Sequence, residues 1–232
     1  MNLRTIIIGV IIILFLYLLY RYFYVNSSLT VLSDARNMQV IKPSSMSQNS
    51  NTSNYAYSFW FYVDDWNYRY GEPKVVFGRL DDNKDHSPSV VLDAMQNNLN
   101  ISVATYSNKK SNESRIHKCN IPNIPLQKWV HLVVSLYGRS LDVYIDGKLV
   151  RTCVLPGVAK VNRDSPVFIT PKGGFSGYTS NFQYFDDALN PQQAYNLYRN
   201  GYGGSTLGNL FNKYRIKVVF LENNTSQGSF EI

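Results

Sequence analysis

Glutamate and histidine are scarce in this chain of 232 residues, and neither occurs in a pattern that supports catalysis. The glutamates are Glu72, Glu113, Glu222 and Glu231, and none has another carboxylate two residues away. Retaining glycosidases need two carboxylates about 5 Å apart, one as nucleophile and one as acid and base. The sequence therefore provides no acidic pair of this kind for the cleavage of a glycosidic bond.

Other catalytic patterns are missing as well. The histidines His86, His117 and His131 do not have the spacing of metal ligands, and there is neither a Gly-x-Ser-x-Gly elbow nor a glycine-rich phosphate loop. We interpret His131, which lies in a strand-like segment, as a structural residue rather than a base. The sequence predicts a protein that is not an enzyme.

Charged residues make up only 17% of the chain, although the net charge is +7. The lysines and arginines are scattered singly and form no cluster, which is unlike the concentrated basic surface of a nucleic-acid-binding protein. We therefore expect no nucleic-acid partner.

One long apolar segment, Ile6–Val25, is present near the amino terminus. A helix of about 20 residues spans the ~30 Å hydrocarbon core of a bilayer. Because the segment ends in the aromatic and basic residues Arg21–Tyr24, it predicts an uncut signal-anchor over residues 1–25. The alternatives are cleavage after Ser27 and a buried helix of a soluble protein. Basic residues on both sides leave the orientation in the membrane open.

Composition divides the rest of the chain into three parts. Residues 26–53 are rich in Ser, Asn and Thr and predict a flexible tether. Residues 54–201 predict one β-rich domain, and residues 202–232 predict an extension that contains an extra strand over 215–222. The aromatic content of 14%, with 18 tyrosines, favours strands over helices.

Alternation of apolar and polar residues predicts many short strands. In the segment 129–137, Val130, Leu132, Val134 and Leu136 face one way and should form core. Asp146-Gly147 predicts a tight type I′ hairpin. Asp142 and Asp146 are four residues apart, but the turn explains the presence of Asp146, so we do not interpret the two as a catalytic pair. The predicted strands cover residues 55–63, 74–79, 89–93, 99–104, 115–121, 129–137, 141–145, 148–154, 167–170 and 178–185.

One helix is predicted between Asn190 and Gly201. Asn190 can cap the first turn, Pro191 fits the first helical position and Gly201 can terminate the helix. Its apolar face, Ala194, Leu197 and Tyr198, is expected to pack across the edge of the sandwich.

The two cysteines, Cys119 and Cys153, both lie in predicted strands. They favour one disulfide, formed in an oxidising compartment, and with it an extracytoplasmic domain. The alternative is two buried free thiols in a reducing compartment.

Several segments together resemble the concanavalin A-like and laminin-G-like jelly rolls. They are residues 57–61 (YSFWF), 129–132 (WVHL), 141–150 (LDVYIDGKLV), 174–177 (GFSG) and 188–191 (ALNP) followed by Leu197-Tyr198 and Gly201. The resemblance covers residues 55–201 and implies an all-β fold of two antiparallel sheets with one short carboxy-terminal helix. The segments 125–129 (PLQKW) and 151–157 (RTCVLPG) resemble the branch of this family found in large double-stranded DNA viruses.

The resemblance implies a choice of functions, since the family contains lectins, receptor-binding modules and glycoside hydrolases. Its hydrolases carry a Glu-x-Asp-x-Glu strand, which this chain does not have. Many members bind calcium at the rim through Asp and Asn oxygens. The calcium ligands expected here are Asn162, Asp164 and Asp186, with Asp81, Asp82, Asp85 and Asp187 as further acids in the rim loops.

Aromatic residues in a loop suggest a ligand site. Trp66, Tyr68 and Tyr70, together with Arg69, are predicted to bind a ligand, because sugar rings stack on aromatic faces. The alternative is that these rings cover the edge of the sandwich or contact another copy. Trp60 and Trp129, which lie in strands, are predicted to be core.

Two function classes remain. One is a membrane-anchored, non-catalytic recognition module that binds a glycan or glycoprotein. The other is a structural protein of a viral membrane or capsid that contacts other virion proteins and binds no sugar.

Overall fold

The computed structural model describes residues 3–24, 28–47, 52–80, 85–106, 114–203, 217–222 and 225–231. The chain forms two compact units, Ser28–Tyr202 and a second made of Met1–Ser27 with Gly203–Ile232. The elements in chain order are α1 (Leu3–Tyr24), β1 (Ser33–Asp34), β2 (Gln39–Ile41), β3 (Tyr55–Asp65), β4 (Lys74–Leu80), β5 (His86–Leu92), β6 (Leu99–Tyr106), β7 (Ser114–Ile121), β8 (Trp129–Tyr137), β9 (Ser140–Ile145), β10 (Lys148–Val154), β11 (Val167–Ile169), β12 (Ser176–Phe185), α2 (Pro191–Asn200), β13 (Lys217–Glu222) and β14 (Thr225–Glu231).

The Ser28–Tyr202 unit is a sandwich of two six-stranded antiparallel sheets. The first sheet has the strand order β1-β12-β3-β8-β9-β10, and the second has the order β2-β11-β4-β5-β6-β7. This architecture, with the short helix α2 after the last strand, confirms the predicted all-β jelly-roll class.

The core lies between the two sheets and is built by period-two alternation. Tyr57, Phe59 and Phe61 of β3 point into it and are fully buried, as are the predicted core positions of β8. The Phe59 ring contacts Phe77 of the facing sheet and Phe182 of the neighbouring strand β12 at centroid distances of 5.8 and 5.5 Å. Removal of this apolar surface from water is the main force that holds the sheets together.

The predicted hairpin turn at Asp146-Gly147 is present, and a second tight turn joins β8 and β9. Asp146 and Gly147 have φ angles of 49° and 73°, so both adopt the left-handed conformation that a type I′ turn requires. Tyr137 pairs with Ser140 across the preceding turn.

Helix α2 begins and ends as predicted, but it packs elsewhere. Asn190 Oδ1 accepts a hydrogen bond from the backbone of Gln193, whose side chain in turn accepts one from the backbone of Asn190. The helix lies on the outer face of the first sheet rather than across the sandwich edge. An apolar cluster on that face buries Ala194 of the helix, with the members Ala56, Val133, Tyr144, Leu189 and Ala194.

Part of the segment that the sequence assigned to a tether belongs to the sandwich. β1 pairs with β12, and β2 pairs with β11, so residues from the 26–53 segment contribute one edge strand to each sheet. Met46 and Ile41 are buried in the core. These strands have two and three residues, too few for alternation to reveal them.

The prediction that Trp60 and Trp129 are core residues is confirmed for the burial of Trp60, but neither ring belongs to the core between the two sheets. Both project from the outer face of the first sheet, where Trp60 stacks on Tyr198 of α2 and Trp129 stacks on Tyr202. Trp60 is buried there by the helix, whereas Trp129 is half-buried. Their burial comes from α2 and the residues that follow it, not from the second sheet.

The second unit contains α1 and a hairpin formed by β13 and β14. The hairpin includes residues 217–222 of the predicted strand, whose first two residues lie outside the described ranges, and adds a strand that the sequence analysis did not identify. The predicted membrane span, Ile6–Val25, overlaps α1, but among the described residues no helix has both the length and the hydropathy to cross a bilayer. That prediction is not confirmed.

Candidate functional site

A groove of about 750 Å³ lies beside Trp66, at one end of the sandwich. Three loops form it: the one after β3, the one between β5 and β6, and the one between β7 and β8. Every side chain that lines it is uncharged. The lining residues are Trp66, Met95, Gln96, Asn97, Asn98, Pro122, Asn123 and Leu126.

The β5–β6 loop is held in shape by Asp93. One carboxylate oxygen of Asp93 accepts hydrogen bonds from the backbone of Met95 and Gln96, and the other accepts one from Asn100. These bonds, chiefly that from Met95, keep the pKa of the Asp93 carboxyl below its usual range. These hydrogen bonds define the shape of the turn that carries Gln96 and Asn97.

Hydrogen bonds join this loop to the β7–β8 loop. The Asn97 side chain donates to the carbonyl of Ile124 at 3.1 Å, and the backbone of Ile124 donates to the carbonyl of Asn97 at 2.7 Å. Asn98 Oδ1 accepts a bond from the backbone of Asn123 at 3.2 Å. The two amide-bearing walls of the groove thus form one connected framework.

Trp66 is fixed by a buried lysine. The Lys74 ammonium lies 4.6 Å from the centre of the Trp66 ring and makes no hydrogen bond within the described residues, so the ring is its main partner. Burial lowers the pKa of Lys74, and the nearby Arg69 charge lowers it further. The half-buried indole thus packs against the core and the Lys74 ammonium at the wall of the groove.

The lining of the groove suits an uncharged, hydroxyl-rich ligand. Side-chain amides both donate and accept hydrogen bonds, and an indole offers an apolar face for stacking. Small-ligand sites commonly have volumes of about 300–1,000 Å³ and combine apolar walls with a few fixed polar groups. A neutral saccharide has this chemistry.

The structure separates the four residues predicted to bind a ligand. Trp66 lines the groove and Tyr70 is exposed, but Tyr68 and Arg69 are tied to the turn Pro171–Gly173 and the residue after it. Tyr68 donates to the carbonyl of Gly173 at 3.1 Å, and Arg69 donates to the carbonyls of Lys172 and Gly174. Arg69 also pairs with Glu72 at 2.7 Å. Tyr68 and Arg69 therefore hold two loops together.

The structure does not bring the three predicted calcium ligands into one cavity. Asn162 and Asp164 line a cavity of about 450 Å³ that also contains Asp85 and Lys160, but Asp186 does not line it. The Lys160 ammonium pairs with Asp85 at 2.9 Å and places a positive charge where a cation would bind. Within the described ranges, no three His, Cys, Asp or Glu side chains are grouped to hold a metal. Asp81 and Asp82 lie outside the described residues.

A serine and a histidine meet beneath α2. Ser58 Oγ lies 2.9 Å from His131 Nε2, and both residues are buried. The imidazole packs against Trp60 and Tyr198, and its Nδ1 has no hydrogen-bond partner among the described residues. Without an orienting group or an open path to solvent, the pair does not have the arrangement of a nucleophile and its base.

Sequence reasoning missed the amide residues of the groove. The run Gln96-Asn97-Asn98 stands between two predicted strands, and the sequence analysis assigned it no role. Its polar composition, three neutral amides in a row, was the available signal. The proximity of this run to Trp66 depends on the pairing of distant strands, which the sequence pattern did not provide.

Comparison with known proteins identifies the family. The chain belongs to the Concanavalin A-like lectin/glucanases superfamily, which matches residues 36–194. This result confirms the general resemblance seen in the sequence. A comparison with curated proteins found no match.

Two solved structures share the fold. One is the receptor binding domain of the botulinum neurotoxin C/D mosaic serotype, with a TM-score of 0.54 and 13% identity over 78% of this chain and 47% of that chain. The other is the binding domain of botulinum neurotoxin DC in complex with rat synaptotagmin II, with a TM-score of 0.50 and 16% identity over 63% of this chain and 35% of that chain. This chain therefore spans less than half the length of either relative, and the likeness concerns the fold.

Proposed function

We propose that this protein is a non-catalytic recognition module that binds an uncharged glycan, free or on a glycoprotein, in the groove beside Trp66. The observation that carries the proposal is the lining of that groove, in which one indole stands among four neutral amide side chains. The fold supports a binding role, since the two similar structures are binding domains by name.

An uncharged ligand is favoured over an acidic one. A sialic acid or a sulfated sugar would bring a negative charge into a groove without a cationic lining residue. Such a charge would be desolvated without a partner, which is unfavourable. Neutral sugars replace their water contacts with amide hydrogen bonds and ring stacking.

A glycan array probed with the full chain tests the proposal. We expect reproducible binding to neutral glycans, and for Trp66→Ala and Gln96→Ala an affinity at least tenfold lower, which corresponds to about 1.4 kcal/mol. Tyr137→Ala, which removes an exposed ring at the β8–β9 turn, is the matched control and should bind as the natural protein does. A calcium chelator should have no effect.

Two results would contradict the proposal. One is the absence of glycan binding together with tight co-purification with virion proteins, the outcome expected of a structural virion component. The other is glycan binding that neither Trp66→Ala nor Gln96→Ala weakens. Because Trp66 also packs against the core, Gln96→Ala separates loss of ligand contacts from loss of folding.

We further infer that the sandwich folds in an oxidising, extracytoplasmic compartment. The supporting observation is the disulfide between Cys119 and Cys153, because disulfides persist in such compartments and are rare in the cytosol. Mass spectrometry after alkylation of the protein taken directly from its source should find both cysteines unlabelled, and labelling of both would place the protein in a reducing compartment.

Membership of the viral branch is supported by the segments 125–129 and 151–157 of the sequence.

A further inference from the structure

Three aromatic rings stand side by side on the outer face of the first sheet. Tyr178, Tyr62 and Trp129 are paired directly across β12, β3 and β8, so all three project from the same face. The centre of the Tyr62 ring lies 6.3 Å from that of Tyr178 and 5.7 Å from that of Trp129. Tyr178 is exposed, and the other two residues are half-buried. We call these three residues the aromatic row.

The segment after α2 closes one side of the aromatic row. The carbonyl of Tyr202 accepts a hydrogen bond from Ser180 Oγ at 2.6 Å, which holds Tyr202 against the outer face of the sheet. Its ring stacks on Trp129 and contacts Trp60. Trp60 precedes Tyr62 by two residues on the same face of β3. Tyr202 therefore covers the side of the row that is farther from the groove.

The other side of the row leads to the groove. Trp66, which lines the groove, follows Tyr62 by four residues. Trp129 follows Leu126, which also lines the groove, by three residues. A fully extended chain of these lengths covers about 14 Å and about 11 Å. Two separate connections therefore keep the row and the groove close together at the same end of the sandwich.

Each connection carries an exposed polar residue, Asp64 in the first and Gln127 in the second. The Gln127 side chain donates to the carbonyl of Asp64 at 3.4 Å, and its backbone donates to the carbonyl of Val63 at 2.8 Å. Within the described ranges the Asp64 carboxylate makes no hydrogen bond or ion pair, so it can accept hydrogen bonds from ligand hydroxyl groups. Its negative charge disfavours an acidic ligand on this path.

We propose that the glycan site continues from the groove past Asp64 and Gln127 onto the aromatic row, so that the ligand is a linear, neutral oligosaccharide or polysaccharide. This inference rests on the proposed function and specifies its ligand. One sugar unit occupies the groove beside Trp66, and a unit farther along the same glycan covers the Tyr62 ring. Adjacent exposed rings gain from contact with the apolar face of a sugar, and the polar residues between the two subsites bond to its hydroxyl groups.

Binding as a function of oligosaccharide length tests this inference on the full chain. The probes are neutral homo-oligosaccharides of one to six units, built from glucose, galactose, mannose or N-acetylglucosamine. For the series that binds, we expect the affinity of the natural protein to rise at least tenfold from the shortest bound oligomer to the longest. Tyr62→Ala and Tyr178→Ala should each remove most of this gain, whereas the shortest oligomer, which occupies only the groove, should still bind. Tyr178 is exposed, so its substitution leaves the fold intact.

Tyr195→Ala is the matched control, because Tyr195 is a ring of similar exposure, 43% against 47% for Tyr178, that lies on α2 outside the row. This variant should keep the full gain of affinity with length. Trp66→Ala should weaken the binding of every oligomer, because each of them occupies the groove.

The outcomes separate this inference from the proposed function. Equal affinity of the natural protein for short and long oligomers would overturn the inference and leave the proposed function standing. A gain with length that both Tyr62→Ala and Tyr178→Ala retain would also overturn it, because the additional sugar units would then lie on another surface. The absence of binding by every oligomer would overturn the proposed function and this inference with it. Binding of a polyproline peptide that Tyr62→Ala abolishes, without any gain with sugar length, would assign the row to a protein partner instead.

Discussion

Loss of the disulfide is expected to lower the free energy of unfolding by about 3–4 kcal/mol. The bond between Cys119 and Cys153 closes a loop with a sequence separation of 34 residues, and without it the unfolded chain gains the conformational freedom of that loop. For a chain of this size the midpoint of thermal unfolding should fall by roughly 10 °C. The change to make is Cys119→Ala/Cys153→Ala, measured by urea denaturation.

The position of the bond makes the effect local as well as global. It joins the edge strands of opposite sheets, which otherwise have few contacts with each other, so β7 and β10 should show faster amide exchange in the variant than strands at the centre of the sheets. Val154→Ala, an exposed substitution on β10, is the control and should change stability by less than about 0.5 kcal/mol. Equal urea midpoints for the double variant and the natural protein would show that the bond does not stabilise the fold.

The second large effect is a loss of stability in acid that depends on His131. Burial lowers the pKa of His131 from 6.5 to about 4, although the nearby Asp146 carboxylate opposes this shift. Asp146 accepts a hydrogen bond from the backbone of His131, and Ser58, Trp60 and Tyr198 surround the ring. The folded protein therefore holds this imidazole neutral.

The direction in which stability changes with pH follows from proton uptake by the unfolded chain. Between pH 6.5 and pH 4 the unfolded chain binds a proton at His131 that the folded chain does not, so stability falls as the pH falls through this range. The contribution is fully present above pH 6.5, and about 3 kcal/mol is lost by pH 4. Urea denaturation as a function of pH measures it.

His131→Gln is the variant that isolates this contribution, because glutamine can still bond to Ser58 but does not titrate. The difference in unfolding free energy between the natural protein and this variant should shrink as the pH falls from 6.5 to 4. His86, whose pKa is also lowered by burial, is present in both proteins and cancels in the difference. A difference that stays constant with pH would show that His131 is accessible to protons in the folded state.

The fold was largely predictable because its longest strands alternate. β3 and β8 carry apolar residues at every second position, and the turn Asp146-Gly147 has a composition that few other turns share. The helix was predictable from its ends, Asn190, Pro191 and Gly201. These signals are local, because each one depends only on residues that are close together in the sequence.

What could not be predicted depends on contacts between distant residues. β1 and β2 are too short to alternate, and they exist because β12 and β11 offer them partners. The burial of Trp60 and His131 on the outer face arises from the place where α2 packs, which the helix sequence does not specify. The structural role of Arg69 could not be predicted for the same reason, because its guanidinium bonds to the carbonyl of Lys172, more than a hundred residues away in the sequence.

The candidate site was partly predictable. The aromatic residues of the loop after β3 indicated Trp66, since a tryptophan in a polar loop indicates either a ligand site or a contact between loops. The amides that complete the groove come from two other loops, and only the antiparallel pairing of β5, β6 and β7 brings them to Trp66. A calcium site at Asn162, Asp164 and Asp186 was expected from the family resemblance, but Asp186 does not line the cavity that contains the other two.

We propose that one neutral groove beside Trp66 binds the ligand and leaves it chemically unchanged. Nuclear magnetic resonance of the isotope-labelled protein, titrated with the neutral glycan that binds most tightly on the array, can locate the ligand at this groove. We expect saturable shifts of the Trp66 indole and of the side-chain amides of Gln96, Asn97, Asn98 and Asn123, with the sugar signals intact after prolonged incubation. Shifts confined to other surfaces, or the appearance of cleaved sugar, would contradict it.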